Sequence, residues 1–163
     1  HPDLAESLNN MGTSLIELGR LEEAREVLER ALEERRAIFG EGANDLVAST
    51  TFNLARVNEA PEIKKRLLEE ALTGFEKSIG PEHPSVAFPL FELGKLELEV
   101  KRHEAALAFF DRAHDVRRAN LPDDHRLLVL VRLGICQVLA DLGRVDDSRG
   151  LDCREIQEAP GPS

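Results

Sequence analysis

The chain has 163 residues, of which 42% are apolar, enough to build one ordinary hydrophobic core. Its formal charge of −10 excludes direct binding to a nucleic-acid backbone or to an anionic lipid surface, both of which need clustered cations. With no Trp, no Tyr and one Met, the core must come from Leu, Ala, Val, Ile and seven Phe, side chains suited to close helix packing.

Taken in order, the elements repeat. Leu4, Leu8, Met11, Gly12, Leu15 and Leu18 follow helical spacing, so a first helix is expected over residues 3–18. Gly19-Arg20 breaks it, and Leu21, Ala24, Leu28, Ala31 and Leu32 open a second stripe that ends near Phe39-Gly40. Gly12 and Ala24 sit where the two stripes face each other and allow close approach. His1-Pro2-Asp3-Leu4-Ala5, Met11-Gly12 and Glu22-Glu23-Ala24 return as His83-Pro84-Ser85-Val86-Ala87, Leu93-Gly94 and Glu104-Ala105-Ala106, all shifted by 82 residues. Between them, Ala48, Asn53-Leu54-Ala55, Leu67-Leu68 and Ala71-Leu72 repeat the pattern with an offset that falls from 43 to 40. A fourth copy starts at His125, with Ile135 on Met11 and Leu142-Gly143-Arg144 on Leu18-Gly19-Arg20; its second half, over 145–156, is degenerate. A repeat of about 41 residues means a stacked solenoid. The expected fold is therefore all-α, a right-handed superhelical solenoid of antiparallel helix hairpins, forming a single repeat domain over 1–158. Its units span about 1–42, 43–82, 83–124 and 125–158, with a disordered tail over 159–163.

The Gly- and Pro-bearing segments 40–44, 80–84 and 121–125 mark the unit boundaries. Pro61 reads as the start of a second helix, where a missing N–H does no harm, whereas Pro89 falls inside the third first-helix and should kink it. Arg35-Arg36 and Arg117-Arg118, again 82 apart, read as cations satisfying late carbonyls of their own helices. Cys136 lies on an apolar helix face and forms no CxxC pair with Cys153, so it reads as a buried reduced thiol, placing the chain in the cytoplasm. No apolar run approaches the roughly 18 residues that span a bilayer. Opening on His1 inside a repeat, the chain reads as part of a larger protein.

A small Gly in the first helix, Ala twelve residues later and Ala again seven after that resemble the tetratricopeptide repeat. The longer unit, with HPDLAESLNNMG and a GR-x-EEA turn, resembles the kinesin-light-chain-like variety. The resemblance runs from Asp3 to about Arg144 and implies a concave groove, lined by the first helix of each repeat, that holds peptides and does no chemistry. On the face of those helices not used for packing lie Glu6, Asn9, Asn10, Thr13 and Glu17, then Phe52, Asn53 and Arg56. The third repeat adds Phe88, Phe91, Glu92, Lys95 and Glu99, and the fourth Leu133, Gln137 and Asp141. Asn10 and Asn53 match the family's Asn that bonds a peptide backbone, or else they tie adjacent helices; Asn9 is expected in solvent. The aromatic residues form an apolar pocket, or turn inward at the Pro89 kink. Acidic residues outnumber Arg56 and Lys95 on this face, so an apolar or basic segment is expected over an acidic one.

His1, His83 and His125 share one linker position and read as structural; His114 with Asp111 and Asp115 offers too few ligands for a metal. GxGxxG, GxxxxGK[ST], HExxH and GxSxG are absent, so no enzyme and no cofactor are expected. The expected function is protein–protein interaction through the groove. The alternative is a structural or regulatory arm that packs on a neighbouring domain, for example of a signalling enzyme, or on a second copy as a homo-oligomer.

Overall fold

The computed structural model describes residues 1–41, 43–144, 151, 153 and 154. The degenerate half-repeat over 145–156 lies almost wholly outside the described residues, and the tail over 159–163 entirely so. Among the described residues seven α-helices follow in order: α1 (Pro2–Glu17), α2 (Leu21–Phe39), α3 (Asp45–Val57), α4 (Pro61–Ile79), α5 (Ala87–Glu99), α6 (His103–Asn120) and α7 (Arg126–Asp141). No strand occurs among the described residues. The chain divides into two compact units, His1–His83 and Pro84–Ser163, at the junction of the second and third repeats.

In the first unit α1 packs on α2, α2 on α3 and α3 on α4. Ala5, Leu8, Gly12 and Leu15 of α1 meet a stripe of Ala24, Leu28 and Ala31 on α2, all buried. A Cβ on Gly12 would stand 2.5 Å from Leu28 Cγ, so the missing methyl makes room for that leucine. In the second unit α5 and α7 both pack on α6. The ring of Phe110 lies against both Gly94 of α5 and Gly134 of α7.

The helix boundaries follow local chemistry. His1 and His125 cap α1 and α7: their Nδ1 atoms accept from the backbone N–H of Asp3 at 3.4 Å and of Leu127 at 3.2 Å. Asn44 caps α3 by accepting from Leu46 and Val47. Pro61 is the first residue of α4, as expected. Pro89 differs from expectation. Pro84–Val86 winds as a 3₁₀ turn and α5 begins only at Ala87, so Pro89 is the third residue of α5, where an N–H would have no partner within the helix. The clash that a proline makes with the carbonyl four residues earlier is relieved by starting the helix late, and no interior kink is needed.

The first helix of three repeats ends in one motif. Gly19, Lys101 and Gly143 occupy equivalent positions with φ of 73°, 58° and 67°. In each, the residue and its successor donate back to the last helical turn: Gly19 to Ile16 and Arg20 to Leu15, Lys101 to Leu98 and Arg102 to Glu97, Gly143 to Ala140 and Arg144 to Leu139. A left-handed conformation costs a residue bearing a Cβ about 1 kcal/mol. Lys101→Gly is expected to stabilise the second unit by about that amount, read as a rise in the urea midpoint at constant slope; an unchanged midpoint would mean the strain is relieved elsewhere.

Cys136 is buried on α7, as its helix face implied, but it is not a thiol. It is joined to Cys153 across 17 residues of sequence, with Cα atoms 5.4 Å apart. The spacing hid this pair because 136 lies on a regular helix and 153 in the degenerate half-repeat. Disulfides persist in oxidising surroundings, so the bond withdraws the argument that placed the chain in the cytoplasm.

Candidate functional site

In the first unit the candidate face is carried by α1 and α3. Glu6, Asn10, Glu17 and Arg56 are exposed, Thr13 and Phe52 half-buried, and Asn9 and Asn53 buried. Asn9 is therefore not in solvent. Its Oδ1 accepts from Asn53 Nδ2 and lies within bonding distance of the Thr50 hydroxyl, both at 3.2 Å. Asn53 Nδ2 also lies 3.5 Å from Thr13 Oγ1, and Asn53 Oδ1 accepts from Arg56 at 3.5 Å. The amide of Asn53 is thus spent tying α3 to α1, the second of the two roles open to it from sequence. Asn10, one position along from Asn9, is exposed, and its side chain makes no hydrogen bond with the described residues.

Beneath this face lies a buried cation. Arg35 comes from α2 with 4% of its surface exposed, and its Nη1 donates to the Leu46 carbonyl and to Thr50 Oγ1, each at 2.6 Å. Burial lowers its pKa, and the carboxylates of Glu6 and Asp45 pull the other way. Arg35 does not serve its own helix end, as expected from sequence; it reaches the first turn of the next helix. Neither Arg35 nor Thr50 was visible as part of the site. The 82-residue recurrence of Arg35 and Arg117 was the available signal, and a solvated cation would have explained it equally well.

In the second unit the face is carried by α5 and α7, which touch. Phe88 is 41% exposed, and Phe91 is half-buried with its ring centroid 5.7 Å from that of Phe110. The guanidinium of Arg117 lies 4.7 Å from the Phe91 centroid and 6.0 Å from that of Phe88. Arg117 is also 4% exposed, and its Nη1 donates to the Leu127 carbonyl at 2.7 Å. Burial pushes its pKa down to about 10, against an upward pull from Glu92, so it stays cationic at neutral pH. Glu92 is half-buried and holds Lys95 Nζ at 3.0 and 3.1 Å, which places that amine 5.5 Å from the Phe91 centroid. Gln137, on the exposed side of α7, donates to Asp141 Oδ1 at 2.8 Å, and Asp141 lies 3.3 Å from His103 Nε2. Leu133 is half-buried and Glu99 exposed.

His114 sits against Arg132, whose Nε is 3.4 Å from His114 Nε2; burial first, then that cation, lowers its pKa. No group of three His, Cys, Asp or Glu that could hold a metal occurs among the described residues. No helix among them is long and apolar enough to cross a membrane.

Antiparallel hairpins of this length, with α2 stapled to α3 and α6 to α7, define an all-α helical-repeat protein of the solenoid class. The sequence pattern of the tetratricopeptide repeat matches residues 3–62 and 65–119, and the chain belongs to that family. Its fold is similar to that of BtubC (BKLC) from P. vanneervenii, with a TM-score of 0.81 at 23% identity over 100% of this chain and 69% of that one. It is also similar to a putative kinesin light chain with nearly identical TPR-like repeats from Podosopora anserina, with a TM-score of 0.76 at 19% identity over 97% and 74% of the two chains. A single-site variant of the latter gives the same score and identity. No curated protein matches the chain. Repeats of this family are generally protein-interaction modules and typically act as scaffolds without chemistry of their own.

Proposed function

We infer that the chain captures a peptide or flexible segment of a partner protein on the first-helix faces of its repeats. In the first unit the contacting residues are Glu6, Asn10, Thr13, Glu17, Phe52 and Arg56, and in the second they centre on Phe88, Phe91, Glu92, Lys95 and Glu99, with Leu133, Gln137 and Asp141 on α7. Asn9 and Asn53 hold the first face rigid from behind. The observation that carries this reading is the division of labour between two adjacent residues: Asn9 is buried in the helix-to-helix network, while Asn10 presents its amide to solvent. An exposed amide flanked by Glu6 and Glu17 can both donate to and accept from an extended backbone. Phe88, half-exposed over a buried guanidinium, supplies an apolar anchor, and such anchors carry most of the energy of small interfaces.

The acidic side chains of these faces favour a ligand that is apolar and basic. Fluorescently labelled peptides of both charges, titrated with the protein, should show the basic amphipathic one binding more tightly. Asn10→Ala combined with Phe88→Ala should weaken it by about tenfold or more. Tighter binding of the acidic peptide, or equal binding by the double variant, would sink this reading.

A further inference from the structure

At one contact between α6 and α7 two basic side chains stand where the other described repeats carry leucine or threonine. His114 of α6 holds the register of Leu32 on α2 and Leu72 on α4, both buried. Arg132 of α7 holds that of Leu8 on α1, Thr51 on α3 and Leu90 on α5, all buried. In α6 and α7 an imidazole and a guanidinium take those places, with 12% and 18% of their side chains exposed. Burying such a pair costs desolvation that the uncharged residues do not incur, so the packing of the repeat does not call for it.

The pair belongs to a three-part latch. Arg132 Nε donates to His114 Nε2 at 3.4 Å, while Nη1 and Nη2 donate to the carbonyl and to Oδ1 of Asp123, each at 2.9 Å. One guanidinium thus joins α6, the linker after it and the first half of α7. The imidazole accepts at Nε2 only while it is neutral, with its proton on Nδ1, the atom 3.9 Å from Asp115 Oδ1. Protonated, it accepts at neither nitrogen and sets a second cation against Arg132. The charged groups that act on His114 are Arg132 on α7 and Asp111, Asp115 and Arg118 on α6 itself. The two carboxylates favour the charged ring, but burial first, then Arg132, outweigh them and lower its pKa. A ring that charges more readily in the unfolded chain than in the folded protein stabilises the fold above its ordinary value of about 6.5. That contribution is lost as pH falls through the lowered one. At the far end of α7 the contacts differ: His103 Nε2 lies 3.3 Å from Asp141 Oδ2, and Arg144 donates to Glu104 at 3.0 Å. Each sets a base against a carboxylate, so adding a proton to the base strengthens the contact or changes nothing.

We propose that His114 is an acid-sensitive latch: neutral, it holds Arg132 and the first half of α7 to α6, and protonated, it lets them go and weakens the peptide face that α7 completes. Leu133 follows Arg132 directly, and Gln137 lies further along the same helix, so displacement of α7 displaces them. The effect on the ligand rests on the peptide reading above; the latch does not.

The 163-residue protein carrying His125→Asn is the reference, because His125 Nδ1 also accepts, from the Leu127 N–H, and an asparagine cap does not titrate. It is compared with the same protein carrying His114→Gln, whose side-chain oxygen can take the bond from Arg132 throughout. Hydrogen exchange of the amides over 126–141 is read as protection relative to the free-chain rate at each pH. Between about pH 7.5 and about pH 5.5 that protection should fall about fivefold or more in the reference and hold in the glutamine variant. The labelled basic peptide should lose about fivefold more affinity over the same interval in the reference than in the variant. If the peptide binds neither protein at any pH while protection falls in the reference alone, the peptide reading fails and the latch stands. Equal loss of protection in both proteins, or none in the reference, overturns the latch, and equal loss of affinity overturns its link to binding. His114→Leu with Arg132→Leu, which restores the apolar register of the other repeats, covers the case in which glutamine does not fold. It too should keep its protection in acid, and a loss equal to that of the reference is the same refutation.

Discussion

Gly94→Ala is expected to destabilise the second unit by about 2 kcal/mol. The added methyl would stand 2.6 Å from Phe110 Cε1 and 2.7 Å from Cδ1, distances that no packed carbon tolerates. The ring is also confined by α7, since a Cβ built on Gly134 would lie 3.0 to 3.1 Å from Phe110 Cζ, Cε1 and Cε2. Overpacking of this kind costs about 1 to 3 kcal/mol, against a gain of about 0.5 to 1 kcal/mol from replacing a helical glycine by alanine. Steric cost therefore wins. Gly12→Ala meets Leu28 at 2.5 Å, but an aliphatic side chain can change rotamer where a clamped ring cannot, so it should cost less. The check is urea denaturation of Gly94→Ala, of Phe110→Leu and of the pair. The double variant should be less destabilised than the sum of the singles, by about 1 kcal/mol. Additive losses would show that the contact is not the cause.

Arg35→Ala should cost the first unit about 3 kcal/mol. Two charge-assisted hydrogen bonds are lost, to Leu46 O and Thr50 Oγ1, together with the packing of a buried aliphatic stem. Relief of the guanidinium's desolvation, the first cause of its lowered pKa, offsets part of this. Arg35→Met keeps the stem and also escapes desolvation, so it should cost less than alanine. Arg35→Lys should rescue in part, since one nitrogen reaches both acceptors and an ammonium carries enough donors, but the shorter stem places it less well. Thr50→Val in the Arg35→Ala background should add only the loss of the hydroxyl's own bond to Asn9 Oδ1 or the Leu46 carbonyl, because the bond it accepted from the arginine is already gone. Thermal melts of the four proteins decide the point: if alanine and methionine are equally mild, the staple contributes nothing.

The readable part of this protein was the part encoded locally. Helical periodicity and glycine and proline punctuation depend on neighbours a few residues away, and they placed α1, α2 and the start of α4 well. The boundary of α5 escaped because Pro89 acts on its predecessors: the helix starts late rather than bending. The candidate face was legible as a stripe but not in its division of roles. Asn9 and Asn10 differ by one helical step, and which of them meets α3 depends on where the next hairpin sits.

Composition, charge and spacing by themselves determined the class of protein, because repeats bury a continuous stripe whatever their detailed contacts, and the resemblance of the motifs implied the family. Only the tertiary structure decided the destinations of side chains that act across hairpins. Arg35 and Arg117 turned from cations serving the ends of their own helices into buried staples, Cys136 found Cys153, and Phe110 found the two glycines beside it. Each of these rests on a partner in another element, and a stripe drawn along one helix carries no record of what the next helix brings to it. For the same reason Leu4, Met11 and Leu18 read as core in the sequence and stand in solvent in the structure.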